Sequence, residues 1–230
     1  MITDRQNQIL NCLIREYIKT AEPVGSDFLA DKYDFGICPS AIRIELQLLI
    51  KGGYLEQPHT SAGRIPTDRA YRLFVDELLK KNEGEKKLKS VIDDFSNEFE
   101  LASGLTRYLA EASSMFSAFH FLHRQLSWQA GWEEISKEPE FSNRQFISSF
   151  VSFLDAFGEN AERLKFDSPI KVFIGKEIPL PGTNNLSLIC SKCSLDDEAL
   201  IVLAGPKRMD YDKNIRLMHS LNKFLEELYE

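Results

Sequence analysis

Disulfide chemistry has little to work with in this chain. Cys12, Cys38, Cys190 and Cys193 are the only cysteines in 230 residues, too few and too scattered for a disulfide scaffold, so a reducing compartment is expected. Long hydrophobic runs are also missing. The longest stretches without Asp, Glu, Lys or Arg, residues 112–123 and 178–191, fall short of the roughly 18 apolar residues that a spanning helix needs. Met1-Ile2-Thr3-Asp4-Arg5-Gln6 offers no basic patch followed by an apolar core, so neither a signal peptide nor a membrane partner is expected, and the reading is cytoplasmic. Positive charge is in deficit as well, with 28 Lys and Arg against 35 Asp and Glu, which argues against non-specific coating of nucleic acid. No repeat or low-complexity segment is present.

Catalytic groupings are equally scarce. Cys190-x-x-Cys193 is half a zinc site, and His59, His120, His123 and His219 are too dispersed to complete it. His120 and His123, three apart, share a face only if that stretch is helical, and they read as surface or packing residues. Gly52-Gly53 follows a helix rather than preceding one, so it is a stop signal and not a phosphate loop. Asp196-Asp197-Glu198 reads as a solvated turn. Neither metal, cofactor nor enzymatic activity is expected.

What the chain does contain is ordinary globular composition, 43% hydrophobic and 27% charged, with ample length for a core. Thr3 can cap a helix bearing Ile9, Leu10, Leu13, Ile14, Tyr17 and Ile18 at steps of three and four. Glu22-Pro23-Val24-Gly25 breaks it, and Ser26 caps a short second helix. Pro39 opens a third that runs to Gly52-Gly53. A short strand pair bracketed by Pro58 and Pro66 follows, then a fourth helix from Thr67 or Asp68.

Three helices with a tight turn and a two-stranded wing describe a winged helix-turn-helix. At about 100° per residue, Ser40, Arg43, Ile44, Gln47 and Lys51 share one sector of the third helix, opposite Ile42, Leu46, Leu49 and Ile50. Arg and Gln suit the major-groove edges of guanine and adenine. Arg64 on the wing, with Arg69 and Arg72 beyond it, suits phosphates or the minor groove. From 41 to 75, five basic residues face three acids, a small positive island in an acidic chain. A merely solvated polar face is the alternative.

Residues 80–89 form a charged joint, so domains are placed at 1–82 and 83–230. From about 88 to 164 the chain reads as helical. Eleven of the sixteen phenylalanines lie between Phe95 and Phe166, with Phe146, Phe150, Phe153 and Phe157 on one face. Such aromatic surface must be covered. Phe95, Phe99 and those four are the candidate residues of a two-fold interface, with packing inside one monomer as the alternative. Past Pro169 short β-like runs and a final amphipathic helix follow.

Gly53-Tyr54-Leu55-Glu56-Gln57-Pro58-His59-Thr60-Ser61-Ala62-Gly63-Arg64-Ile65-Pro66-Thr67-Asp68, with Ala70-Tyr71-Arg72 and Val75-Asp76, resembles the heat-inducible transcription repressor family, HrcA. So does Tyr17-Ile18 through Glu22-Pro23-Val24-Gly25-Ser26. Lys171-Val172-Phe173-Ile174-Gly175-Lys176-Glu177 and Gly205-Pro206-Lys207-Arg208-Met209-Asp210-Tyr211 are similar to the end of that family's GAF-like domain. The resemblance implies an α+β protein: an N-terminal winged helix-turn-helix, a helical middle segment, and a small C-terminal GAF-like β-sheet with a terminal helix. It implies a homodimeric repressor on an inverted-repeat operator (CIRCE) of double-stranded DNA upstream of chaperone genes, modulated by the GroEL chaperonin. DNA contacts are then expected from Ser40, Arg43, Ile44, Gln47, Lys51, His59, Thr60, Ser61, Arg64, Arg69 and Arg72.

This chain departs from the family. Members usually run longer, with an inserted dimerisation domain that, like the early sheet strands, reads as absent here. Where the family commonly has Ser-Pro-Ala-Thr-Ile-Arg-Asn-Glu-Met, this chain has Cys38-Pro39-Ser40-Ala41-Ile42-Arg43-Ile44-Glu45-Leu46. Ala41 and Ile44 replace two polar groups, so a changed operator is one rival reading, and Ile44 could contact a thymine methyl. A ligand- or chaperone-binding sensor in the C-terminal part is another.

Overall fold

A computed structural model describes residues 2–81, 97–194 and 197–229. The chain divides into two compact units, residues 1–77 and 78–230. The boundary expected at 82/83 lies outside the described residues, as does most of the charged joint.

In the first unit α1 (Asp4–Thr20) begins at a reciprocal cap: Thr3 Oγ1 accepts from the Gln6 N–H while Gln6 Oε1 accepts from the Thr3 N–H. Its buried stripe is Ile9, Leu10, Leu13 and Ile14, and Ala21, at φ 57°, stops it. The next helix, α2 (Ser26–Lys32), has Gly25 at its cap position; Ser26 is its first residue, buried, and not the cap expected. Pro39 opens α3 (Pro39–Lys51), which buries Ile42, Leu46 and Leu49. Two short antiparallel strands, β1 (Leu55–Glu56) and β2 (Ile65–Pro66), pair Leu55 with Pro66 and Glu56 with Ile65. Thr67 Oγ1 accepts from the Ala70 N–H at the start of α4 (Asp68–Lys81).

One buried charge ties the first two helices together. The Glu16 carboxylate on α1 accepts from Lys32 Nζ at 2.7 Å and from the Tyr33 hydroxyl at 2.5 Å. Burial disfavours the ionised form, but these two donors outweigh it and hold the Glu16 carboxyl below its ordinary value. Burial and the same carboxylate push Tyr33 up to about 12.

In the second unit α5 (Glu98–Ser113) leads into β3 (Phe116–Phe121) and β4 (Leu126–Ala130). The short α6 (Trp132–Ser136), α7 (Arg144–Asn160), β5 (Ile170–Ile174), β6 (Leu186–Ser194), β7 (Glu198–Pro206) and α8 (Tyr211–Tyr229) follow. The sheet runs β4-β3-β7-β6-β5, antiparallel throughout, with Phe119 opposite both Trp128 and Ile201. Successive strand side chains point to opposite faces. Phe116 meets Phe150 and Phe153, and His120 meets Phe157, so one face of β3 carries α7. On the other face Phe121 meets Phe99 of α5, and Ser187 and Ser191 of β6 bond Tyr211 and Asn222 of α8.

The mixed helix and sheet content is that of an α+β protein, and the five-stranded antiparallel sheet fits a GAF-like domain. Two expectations are corrected. The middle of the chain is not continuously helical: Ser114, at φ 58°, ends α5, and β3 and β4 supply two of the sheet strands that read as missing. A short apolar run buried on both faces has no periodicity to separate strand from helix. Nor do Phe146, Phe150, Phe153 and Phe157 present a face to a second subunit. All four are at most 3% exposed, stacked along α7 against their own sheet. Phe99 is 37% exposed and stacked on Trp128, and Phe95 lies outside the described residues.

Candidate nucleic-acid interface

The third helix separates its residues into two faces. Ile42, Leu46 and Leu49 are buried, and Glu45, between the faces, accepts from Gln6 Nε2 at 2.9 Å. Ser40, Arg43, Ile44, Gln47, Leu48 and Lys51 are exposed. The structure therefore brings Ser40, Arg43, Ile44, Gln47 and Lys51 together, as the helical spacing predicts. No carboxylate belongs to the exposed residues of α3; Asp27 of α2 lies 3.4 Å from Arg43. At the start of α3, Cys38 Sγ and Ser40 Oγ are 3.1 Å apart; that contact and the Ala41 N–H draw the Cys38 thiol below its ordinary value.

His59, Thr60 and Ser61 are exposed on the loop between β1 and β2, and Gln57 Nε2 fastens that loop by donating to the carbonyls of Thr60 and Ala62. The three arginines of the ribbon and α4 are displayed unequally. Arg64 is only 8% exposed, because residues 63–64 are clamped on the entrance to α2. Arg64 and Val24 exchange both backbone hydrogen bonds, at 2.8 and 2.9 Å. A Cβ at Gly63 would stand 2.5 Å from the backbone of Pro23 and Val24, so only glycine permits this approach. Burial and the nearby charge of Arg43 lower the Arg64 guanidinium from its ordinary value. Arg69 is exposed yet tethered: its guanidinium lies 4.5 Å above the Tyr54 ring and donates to the Gly52 carbonyl at the end of α3. Arg72 is half-buried and pairs with Asp76.

Other candidates are placed as follows. Cys190 and Cys193 sit three apart on β6, a spacing that sends side chains to opposite faces; burial raises both thiols, Cys193 to about 12. His120 lies in a strand, 2.6 Å from the Ser127 hydroxyl, while His123 bonds Asp197 across the turn. Asp197 is buried rather than solvated. Burial opposes its charge, but the His123 and Arg124 N–H donors win and keep its carboxyl below the ordinary range; Asp196 lies outside the described residues. Among the described residues no cluster of His, Cys, Asp or Glu is grouped to hold a metal ion, and no helix is long and apolar enough to cross a membrane.

Sequence reasoning missed Leu48, 44% exposed on the same face as Ile44. Its signal is the four-residue spacing from Ile44, hidden because a leucine there reads as core.

The family model described as HrcA protein C terminal domain matches residues 68–215. A heat-inducible transcription repressor HrcA from Desulforudis audaxviator is 45% identical over 125 residues, 49% of this chain and 36% of that protein. One from Symbiobacterium thermophilum is 54% identical over 79 residues, 34% of this chain and 23% of its own length. The matched stretch thus spans about a third or less of these relatives, whose name is that of a transcription repressor and not of an enzyme. A crystal structure of a hypothetical protein shares the fold, with a TM-score of 0.82 over 100% of this chain and 99% of its own, at 19% identity. With the family model matched over more than half its length, the chain belongs to the HrcA family.

Proposed function

We propose that the chain is a DNA-binding transcriptional repressor of the heat-inducible kind, acting in the cytoplasm. Its reading head is a winged helix-turn-helix within residues 1–82, with α3 in the major groove and the β1–β2 ribbon as the wing. One observation carries this reading: the exposed face of α3 holds Arg43, Gln47 and Lys51 and no carboxylate. Arg43 supplies paired donors for guanine, Gln47 a donor and an acceptor for adenine, and Lys51 a phosphate contact. Asp27, the counter-ion of Arg43 in the free protein, is exchanged for the nucleic acid. Because Arg64 is buried, its role is to fix the ribbon against α2; the wing reaches DNA through His59, Thr60 and Ser61.

A single module of this size offers roughly 600–1,000 Å² of contact, so a homodimer on an inverted repeat is the form that binds tightly. The family resemblance supports CIRCE as the operator and GroEL as modulator. The exposed Ile44 supports a second reading, a regulator of the same architecture whose operator differs.

A gel-shift titration of the full chain on an inverted-repeat duplex and on a scrambled duplex, with and without chaperonin, tests the proposal. The repeat binds at least about a thousandfold tighter if the reading holds. Equal affinity for both duplexes overturns it. Lys51→Ala weakens both duplexes alike and reduces the salt slope by about one, whereas Gln47→Ala relaxes preference at one base pair.

A further inference from the structure

The exposed face of α3 is not uniformly polar. Ile44 is 62% exposed and Leu48 44%, one helical turn apart. At about 100° per residue, Arg43 and Gln47 occupy one flank of this face, Ser40 and Lys51 its middle, and Ile44 and Leu48 the other flank. At position 44 the helix gains nothing locally from this choice, since the β-branched isoleucine lowers helix propensity at an exposed position. A lone exposed apolar residue on a protein surface needs no explanation; two in line, beside a hydrogen-bonding stripe, form a surface with a defined chemistry.

The surroundings say which chemistry. The patch shares its face with Arg43 and Lys51, and the one acid of α3, Glu45, is drawn toward α1 by Gln6. An apolar strip with Lys51 and Arg43 on one side, and on the other a single carboxylate, Glu45, already engaged by Gln6, is complementary to a surface that is anionic at its edge and carries isolated apolar groups beside it. In the major groove only thymine presents such a group, its 5-methyl.

We infer that Ile44 and Leu48 are specificity-determining residues that read thymine methyl groups, while Arg43 and Gln47 read hydrogen-bonding edges alongside. This rests on the DNA-binding reading above. The two side chains lie about 6 Å apart along the helix axis, so the methyls they meet are about two base steps apart.

The test removes the methyl and nothing else. Duplexes are recovered from a randomised pool with the full chain, and each thymine of the recovered site is replaced singly by deoxyuridine. Loss of one buried methyl weakens binding about three- to fivefold. At one or two thymines per half-site the unaltered protein shows that loss. Ile44→Ala abolishes the sensitivity at one of them, Leu48→Ala at the other, and Ile44→Val keeps part of it. Unchanged melting of both alanine variants excludes misfolding. A protein that selects a sequence yet is indifferent to every deoxyuridine overturns the inference and leaves the DNA-binding reading standing. So does sensitivity that persists in both alanine variants, or a change in their DNA-free oligomeric state, which would make the strip a protein contact. Failure to enrich any duplex overturns the reading on which the inference rests.

Discussion

Residues 1–77 leave Ile44 and Leu48 in water on the face proposed for recognition, whereas residues 78–230 turn Phe116, Phe119, Phe150, Phe153 and Phe157 wholly inward. Each unit buries a carboxylate and satisfies it, Glu16 with Lys32 and Tyr33 in the first, Asp197 with His123 and the Arg124 N–H in the second. The second adds imidazoles that burial lowers, His120 buried and His219 half-buried, and the Nε2 of each has no hydrogen-bond partner among the described residues. One unit spends few aromatic rings and keeps its chemistry outside; the other is an aromatic core whose surface the proposed function does not use. The contrast teaches that a proposed recognition face and bulk stability can be placed in separate units, and each half of that statement can be broken.

The largest expected effect is on the aromatic core. Phe153 is fully buried and its ring meets those of Phe116, Phe150 and Phe157. Phe153→Ala costs about 3–5 kcal/mol. Both tryptophans, Trp128 and Trp132, belong to the second unit, so their fluorescence follows its unfolding alone. A fluorescence midpoint that hardly moves in denaturant would show that this ring row is not the core.

Next in size is the buried carboxylate. Glu16→Ala removes two charge-assisted hydrogen bonds and leaves the Tyr33 hydroxyl without this acceptor, a loss of about 2 kcal/mol. The expected shift appears in the helical signal of far-ultraviolet dichroism and not in tryptophan fluorescence. Equal shifts by both probes would show that the units unfold as one.

The two elements just perturbed differ in how far the sequence exposed them. The α1 and α3 stripes were legible because apolar residues at steps of three and four have one geometric explanation, and Thr3 with Gln6 spells out its own cap. β3 was not, since Phe-Ser-Ala-Phe-His-Phe is buried on both faces and its strand character comes from β4 and β7 on either side. Of the face proposed for recognition, the positions of Ser40, Arg43, Ile44, Gln47 and Lys51 are readable and Leu48 is not. Arg64 was misread for a different reason: its burial depends on pairing with Val24, forty residues earlier, and no local pattern announces that contact. The same holds for Glu16 and Asp197, polar residues that read as surface until a distant donor is brought to them.

Acid reaches the imidazoles of the second unit in a higher pH window than the carboxylates of either unit. His120 and His219 bind a proton less readily folded than unfolded, so their contribution is complete above the ordinary histidine value near about 6.5 and is lost as pH falls toward their lowered folded values. Glu16 and Asp197 are also lowered, and what they contribute is present above the ordinary carboxylate range of about 4 and lost only below it. The one histidine of the first unit, His59, is exposed. Between about pH 6.5 and 5 the fluorescence midpoint therefore falls while the part of the helical dichroism transition that does not follow fluorescence, the share of the first unit, holds. Parallel decline of both signals in that window would break the comparison.

The smallest expected effect is the sharpest. Leu46 and Ile44 sit two residues apart on α3, one fully buried and the other 62% exposed. Leu46→Ala removes core volume and costs about 2–5 kcal/mol. Ile44→Ala removes a side chain that touches little, and its effect on folding stays within about 0.5 kcal/mol, with any gain coming from alanine's better helix propensity. If denaturant midpoints instead show Ile44→Ala losing as much as Leu46→Ala, then Ile44 supports the fold, and its place on the recognition face cannot be the reason an isoleucine stands there.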